Sequence, residues 1–459
     1  MESNRFDVLI IGAGQAGIPL AHALAEAGKR VALAEEKDLG GSCVNFGCTP
    51  TKAVIASARV AHLARRGKEF GVEIPTVVVD FPAVIERAKR ILIESRTSLQ
   101  EGFQESENPK LLHGSAHFDG REMNAFRVAV GDQSIVAEQV VLDTGTRSTI
   151  SPIEGLDKVN FICAENWLDM NQLPEHLVII GGGYIGLEMS QFYLRMGSRV
   201  TVIEEAHQVA GHEDQDVASA LQSLLEAEGI EFRLNTHVKR VETIQGNVKL
   251  TVETDKGSLT ISASHVFVAT GRTPNTEDLG LETVGVKISD RGIVEANDRL
   301  ATNVEGVWVA GDIRGGPMFT HTSWDDYRIL LSQLAGDCSR TTSRVVPYAI
   351  FTDPELGRVG MTESEAGNNH KQIKVARYEM KGNGKAREFG ETEGFIKVII
   401  DAQTDRILGA AVLASDAAEL IHMYVDLMNV DAPYTVIRDA IHIHPTLAEA
   451  VQSAVKSFE

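Results

Sequence analysis

Two stretches of the chain follow one plan, and this duplication constrains the fold more than any other feature. In the first, the apolar run Asp7-Val-Leu-Ile-Ile11 leads into Gly12-Ala-Gly14-Gln-Ala-Gly17. A helical pattern with Leu20 and Leu24 follows, then Val31-Ala-Leu-Ala, ending on Glu35. In the second, Leu177-Val-Ile-Ile180 precedes Gly181-Gly-Gly183-Tyr-Ile-Gly186, a helix, and Val200-Thr-Val-Ile, ending on Glu204. The acid lies 23 residues after the first glycine in both copies. Each copy is a strand–helix–strand unit with a dinucleotide fingerprint. Its glycines let the backbone approach a pyrophosphate at the helix N-terminus, and its acid accepts hydrogen bonds from ribose hydroxyls. The expectation is an α/β chain with two Rossmann-like dinucleotide-binding domains. Two such sites in one protein point to electron transfer between two cofactors.

Between the copies, Gly40-Gly-Ser-Cys43-Val-Asn-Phe-Gly47-Cys48-Thr-Pro50-Thr-Lys52 holds two of the chain's four cysteines. On a regular helix that spacing puts the side chains on different faces, so bonding them requires a bend. Gly47 permits one, and Pro50 suits the first turn of a following helix, where its missing N–H costs nothing. A thiol at a helix N-terminus is stabilised as thiolate, its nucleophilic form. Cys163 and Cys338 are isolated, which excludes a disulfide scaffold. The close pair reads as redox or metal chemistry, with two buried structural cysteines as the plain alternative.

A formal charge of −20 argues against a nucleic-acid partner or an anionic membrane surface. The apolar stretch from Val8 to Ala25 is punctuated by glycines and His22, so no membrane span is expected. Met-Glu-Ser-Asn-Arg lacks a basic region followed by an apolar segment, and the expected location is cytoplasmic. A basic helical pattern runs from Phe81 to Leu99, and a β-rich piece from Leu111 to Asp143. Val140-Val-Leu-Asp-Thr144-Gly145 recurs as Val266-Phe-Val-Ala-Thr270-Gly271-Arg272; both read as strand-to-loop crossings. Val307-Trp-Val-Ala-Gly311-Asp312 places an acid in a turn, where it suits a cofactor hydroxyl chain. From about Val346 the pattern changes. Glu393–Ile400 and Ile407–Leu413 read as antiparallel strands before a helix from Ala417 to Met428, an α+β module.

In several motifs, in order along essentially its whole length, the chain resembles the class I pyridine nucleotide-disulfide oxidoreductases. This family includes dihydrolipoamide dehydrogenase, glutathione reductase and mercuric reductase. The motifs are the fingerprint at Gly12, Cys43-Val-Asn-Phe-Gly-Cys48, Gly-Tyr-Ile-Gly-Leu-Glu188, Ala-Thr-Gly-Arg272, Ala-Gly-Asp312, Phe351-Thr-Asp-Pro354-Glu and His442-Ile-His444-Pro445-Thr-Leu-Ala-Glu449. The resemblance implies FAD at the first site, with Gly12, Gly14, Gly17, Glu35, Thr144, Gly145 and Asp312. It implies a nicotinamide nucleotide at the second, with Gly181, Gly183, Gly186, Glu204 and Gly271. It divides the chain into an FAD-binding domain (1–150 and 275–345), an NAD-binding domain (151–274) and a C-terminal α+β dimerisation domain (346–459). Electrons then pass from NADH through FAD to a Cys43–Cys48 disulfide. By the same resemblance Cys48 is the thiolate against the flavin and Cys43 the interchange thiol. Lys52 approaches the flavin and pairs with Glu188, and Tyr184 is the aromatic gate at the nicotinamide site. His444, oriented by Glu449, is the acid-base that serves the cysteines of the other subunit of a homodimer. Imidazole suits that task because it both gives and takes a proton near neutral pH. Metal ligation by His442 and His444 is disfavoured by Pro445 and by the absence of nearby cysteine ligands.

No Lys or Arg lies between Arg199 and Arg233, and Glu204 with Glu205 would repel a 2′-phosphate, so NAD(H) is expected over NADP(H). The chain ends Lys456-Ser-Phe-Glu459, without the vicinal cysteines that mercuric reductases use. On the other side, Cys48-Thr-Pro-Thr-Lys52 and Phe319-Thr-His-Thr-Ser-Trp324-Asp-Asp-Tyr look more like the mercuric-reductase-like group than a typical lipoamide enzyme. The expected substrate is a small dithiol or disulfide, free or on a lipoyl domain, with lipoamide/dihydrolipoamide the best single choice. The alternatives are another disulfide, as for glutathione reductase, and a metal ion.

Overall fold

A computed structural model of the chain describes residues 4–369 and 372–458. Met1, Glu2 and Ser3, part of the N-terminal stretch read above, and the terminal Glu459 lie outside them. The first fingerprint forms as expected: strand Arg5–Ile11, helix Gly17–Glu26 and strand Val31–Glu35, the strands parallel with Val8 opposite Val31. Lys110–His113 extends the sheet beyond Val31–Glu35, and Gln133–Leu142 lies parallel on the other side of Arg5–Ile11. The long strand Gln133–Leu142 has two partners besides. Its first half continues an antiparallel meander with Ala116–Glu122 and Ala125–Val130, and its last three residues pair in parallel with Val307–Val309. That pairing returns the chain to the first domain and delivers Gly311 and Asp312 to the C-terminal edge of the sheet, where an α/β sheet binds ligands.

The second fingerprint repeats the arrangement in a four-stranded parallel sheet ordered Glu231–Arg233, Arg199–Ile203, His176–Ile180 and His265–Val268. A three-stranded meander, His237–Ile244 to Ala263, covers one side. Short strands Thr146–Ser148 and Arg272–Pro274 pair antiparallel at the crossing between the two domains. The third unit is a five-stranded antiparallel sheet with Pro347–Ile350 at one edge and Ile373–Glu379 at the other. The helix read from Ala417 to Met428 is two consecutive helices, Ala417–Leu420 and His422–Asn429.

One apolar cluster runs through all three units and packs them against one another without linkers. Ala53, Val54 and Ala58 of helix Cys48–Arg65 pack in one cluster with Phe81, Ile85 and Leu92 of helix Phe81–Gln104. Phe192 and Tyr193 of the second fingerprint helix and Ile350 and Leu356 of the third unit belong to the same cluster. Helix Phe81–Gln104 starts where the sequence places it. The Asp80 side chain accepts from Ala83 N–H at 3.0 Å and Pro82 sits in the first turn. Beside this interior, Asp353 accepts from Arg59 of the first domain at 2.5 Å and from Arg195 of the second at 2.7 Å. Arg59 also meets Glu391 at 2.6 Å. A charge network of that kind holds relative orientation more than it adds stability. No helix among the described residues is long and apolar enough to cross a membrane.

Candidate active site

The redox segment is bent as its spacing requires. Helix Gly41–Asn45 stops at Phe46, Gly47 N–H donates to Ser42 O at 2.7 Å, and a new helix begins at Cys48. Trp167, 1% exposed, donates from Nε1 to Phe46 O at 2.9 Å and fixes the bend from behind. The expected Cys43–Cys48 disulfide is not closed in this structure: both cysteines are free thiols, hydrogen-bonded to one another, which is the reduced form of the pair. The two sulfurs are inequivalent. Cys48 is lowered to about 6, first by the hydrogen bond from Cys43, then by Thr320 and the Lys52 ammonium, against the opposing effect of burial. Cys43 is pushed up, by that same hydrogen bond, by burial and by the charge on Cys48. Thr320 Oγ1 lies 3.2 Å from Cys48 Sγ. At neutral pH this pair therefore holds one thiolate, at Cys48, and one thiol, at Cys43.

Lys52 is one helical turn beyond Cys48 and pairs with Glu188 at 2.7 Å. The pair spans two domains and is tied to the third. Glu188, 5% exposed, accepts from Phe351 N–H at 2.9 Å, and the Lys52 ammonium sits 4.4 Å from the Phe351 ring centroid. Tyr184, on the first turn of the same helix as Glu188, is 38% exposed with its ring 6.2 Å from Phe319.

These groups share a cleft of about 1670 Å³ with Gly12, Gly14, Glu35, Thr144, Gly145 and Asp312. The first loop is shaped for close approach. Gly12 has φ +106°, a Cβ there would lie 2.3 Å from Asp143 O, and a Cβ on Gly17 would lie 2.3 Å from Gly12 O. Glu35 accepts from Ala13 N–H and Lys37 N–H, both at 2.8 Å, and so shapes the loop at the cleft wall. A long groove with a glycine cradle at one end and a thiolate at the other fits FAD, which these residues would hold. Asp143 was not among the expected site residues. It is buried beneath the loop, accepts from Gly17 N–H at 2.7 Å, and burial pushes its carboxyl well above the usual range. An acid ending an otherwise apolar strand, where the repeat has Ala269, is the signal that marks it. Thr320 was likewise read only as part of a motif.

The glycines of the second fingerprint do not line this cleft, although Tyr184, Ile185, Glu188 and Met189 of its helix do. Gly181 has φ +112°, and a Cβ on Gly186 would lie 2.0 Å from Gly181 O. Glu204 accepts from Gly182 N–H at 2.6 Å and Ala206 N–H at 2.8 Å, the counterpart of Glu35. Gly271 follows the strand beside this loop, at the crossing. His444 Nδ1 is 3.0 Å from Glu449 Oε1, and Glu449 also accepts from Thr446 N–H. That pair is outside the cleft, with the His444 side chain 77% exposed just after Ile441 and Ile443, which are 100% and 80% exposed. One chain does not bring His444 to its own cysteines.

Two dinucleotide cradles, with a thiolate–thiol pair in the groove of the first, define a flavin-dependent oxidoreductase acting on disulfides. The chain belongs to the pyridine nucleotide-disulphide oxidoreductases: it matches that family over residues 6–326 and the family's dimerisation domain over residues 346–455. The family uses FAD and NAD(P)H. The chain is 33% identical to "Probable pyridine nucleotide-disulfide oxidoreductase RclA" of Escherichia coli (strain K12), covering 98% of each chain. It is 32% identical to the dihydrolipoyl dehydrogenase of Cupriavidus necator, covering 100% of this chain and 98% of that one. Among solved structures it is similar to the Cu(II) complex of HOCl-induced flavoprotein disulfide reductase RclA from Escherichia coli. The TM-score is 0.89 at 32% identity, covering 99% of this chain and 100% of that one.

Proposed function

We propose that the chain is an NADH-linked disulfide oxidoreductase working as a homodimer, with lipoamide/dihydrolipoamide its best single substrate. The observation that carries this reading is the inequivalent pair Cys43 and Cys48 in the groove of the first fingerprint. When bound, FAD supplies the two-electron relay between the nicotinamide and this pair. Glu204, with Glu205 beside it, favours NADH by repelling a 2′-phosphate. Tyr184 covers the junction between the nucleotide and the groove, and Lys52 holds a positive charge there, itself fixed by Glu188.

In disulfide reduction, Cys43 must lose its proton before its sulfur can attack. The protein pushes that thiol up, so a base is required. His444 of the partner subunit takes the proton, with Glu449 of the partner subunit holding the ring. The Cys43 sulfur then forms a bond to one substrate sulfur and breaks the substrate S–S bond; the departing thiolate receives the proton from the imidazolium. The Cys48 thiolate next attacks the Cys43 sulfur of the mixed disulfide, closing Cys43–Cys48 and releasing the second substrate sulfur as a thiolate, which takes its proton from solvent. The exposed Ile441 and Ile443 beside His444 support coverage of this segment by a second copy.

A second reading is reduction of a metal ion at the same dithiol. The similar solved structure is a Cu(II) complex, and His321 and His422 line the cleft together with Cys48. Against it, no group of three or more His, Cys, Asp and Glu side chains among the described residues converges on a metal position. The test is NADH oxidation by the flavin-loaded protein with lipoamide, glutathione disulfide, Hg(II) and Cu(II). The first reading expects lipoamide to be the best acceptor; turnover with metal ions alone overturns it in favour of the second.

A further inference from the structure

The segment Phe319-Thr320-His321 and the strand Pro347–Ile350 meet on the wall of the thiol pocket. The Phe319 ring is stacked between two others: His321 at 5.4 Å and 6°, and Tyr348 at 5.3 Å and 10°. His321 Nε2 is 2.6 Å from Pro347 O, so strand and segment are bonded as well as stacked. Thr320, between the first two rings in sequence, is the residue whose hydroxyl reaches Cys48 Sγ. A threonine hydroxyl is aimed by its backbone and one stiff χ1. Whatever fixes Phe319 and His321 therefore fixes the contact with the sulfur.

Stacking is not the only restraint on this wall. Tyr348 donates its hydroxyl proton to Glu213 Oε1 of the nucleotide-binding unit. Glu213 is 6% exposed and lies 3.3 Å from the guanidinium of Arg358, itself 2% exposed, whose Nη2 has no hydrogen-bond partner among the described residues. Burying such a pair with one donor unmatched is a poor way to gain stability. Its geometry has another consequence. Glu213 ends the loop that starts after Glu204, where Ala210 N–H donates to Gly182 O at 2.9 Å and Glu213 N–H to Ala210 O at 2.8 Å. One phenol–carboxylate bond thus joins the nucleotide loop to the stack behind Thr320.

We propose that Tyr348 and Glu213 are positioning residues for Cys48, their bond holding the ring stack that aims the Thr320 hydroxyl at the sulfur. This rests on Cys48 being the flavin-side thiolate. The test is a pH titration of the long-wavelength absorption that a thiolate gives against bound flavin, in flavin-loaded Cys43→Ser protein. The parent is expected to titrate well below an ordinary thiol. Adding Tyr348→Phe, which keeps the ring and deletes the bond, should raise the midpoint by about 0.5 pH unit or more. Thr320→Val should raise it at least as far, whereas Glu213→Gln, which keeps an acceptor for the phenol, should stay with the parent. A Tyr348→Phe midpoint identical to the parent, with or without a fall in melting temperature, overturns the proposal. A parent that titrates as an ordinary thiol refutes the thiolate reading instead, and the proposal with it; that failure is visible before any wall variant is made.

Discussion

The two fingerprints are the same device put to different uses. Both begin with a glycine at strongly positive φ, both press a third glycine onto the carbonyl of the first, and both end on an acid bonded to loop amides. They differ beneath and beside the loop. Under the first, the Asp143 carboxyl fills the floor: a Cβ on Gly14 would lie 2.7 Å from its Oδ2, whereas one on Gly183 would meet nothing within 4 Å. Beside the first lies the long groove that ends at Cys48; the glycines of the second lie outside it. A closed floor and a long groove suit a resident cofactor, and an open shelf suits a nucleotide that comes and goes. A motif sets the kind of ligand, and its neighbours set how long the ligand stays.

The largest expected effect separates the copies directly. Gly17→Ala brings a Cβ to 2.3 Å from Gly12 O, and the purified protein should be colourless and inactive. Gly186→Ala makes the equivalent clash in the second copy; that protein should stay yellow while NADH no longer bleaches it. Normal bleaching of the Gly186→Ala flavin would undo the assignment of the two sites. Next in size is His444→Gln, outside both copies. Loss of general acid-base help should lower disulfide turnover on the order of 10²–10⁴-fold, with NADH-to-flavin reduction near normal. Stopped-flow absorbance reads the two steps separately. Mixed dimers of His444→Gln and Cys43→Ser subunits should regain activity, because one of the two shared sites then has both groups.

A smaller effect is expected of Glu204→Arg, which should shift kcat/KM toward NADPH by about tenfold or more. A wild-type protein that already prefers NADPH would break that argument. The smallest concerns the floor that distinguishes the copies. The Asp143 carboxyl is raised on folding, so its contribution to stability is complete below the ordinary carboxylate range and is lost as pH rises toward its folded value. Asp143→Asn keeps an acceptor for Gly17 N–H and removes the charge. Its melting temperature relative to wild type should therefore increase as pH rises from 4 to about 8. A difference independent of pH would show that Asp143 carries no buried proton.

Much of the site is legible in the sequence because its local geometry is written in short range. The equal spacing of the two copies, the bend at Gly47 and the helix start at Cys48 each follow from a few consecutive residues. The Lys52–Glu188 pair is 2.7 Å long but 136 residues apart, and only a resemblance links it in advance. Asp143, Thr320, Trp167 and Tyr348 escaped that reading for a physical reason. Each acts through a partner on another element, and the residue types alone are ordinary for a strand end, a helix start or a core. His444 is the opposite case: its motif is conspicuous, yet one folded chain leaves it in solvent, and the counterpart proposed for it belongs to a second copy.

The most direct test of the whole account is the absorbance spectrum before and after anaerobic addition of NADH at neutral pH, compared across wild type, Cys43→Ser and Cys48→Ser. With Cys48 at the groove end and lowered to about 6, wild type should gain a long-wavelength thiolate–flavin band on two-electron reduction, and Cys43→Ser should show that band before NADH is added. Cys48→Ser should bleach without it. A band that survives in Cys48→Ser and vanishes in Cys43→Ser would contradict the assignment of the two sulfurs on which the chemistry rests.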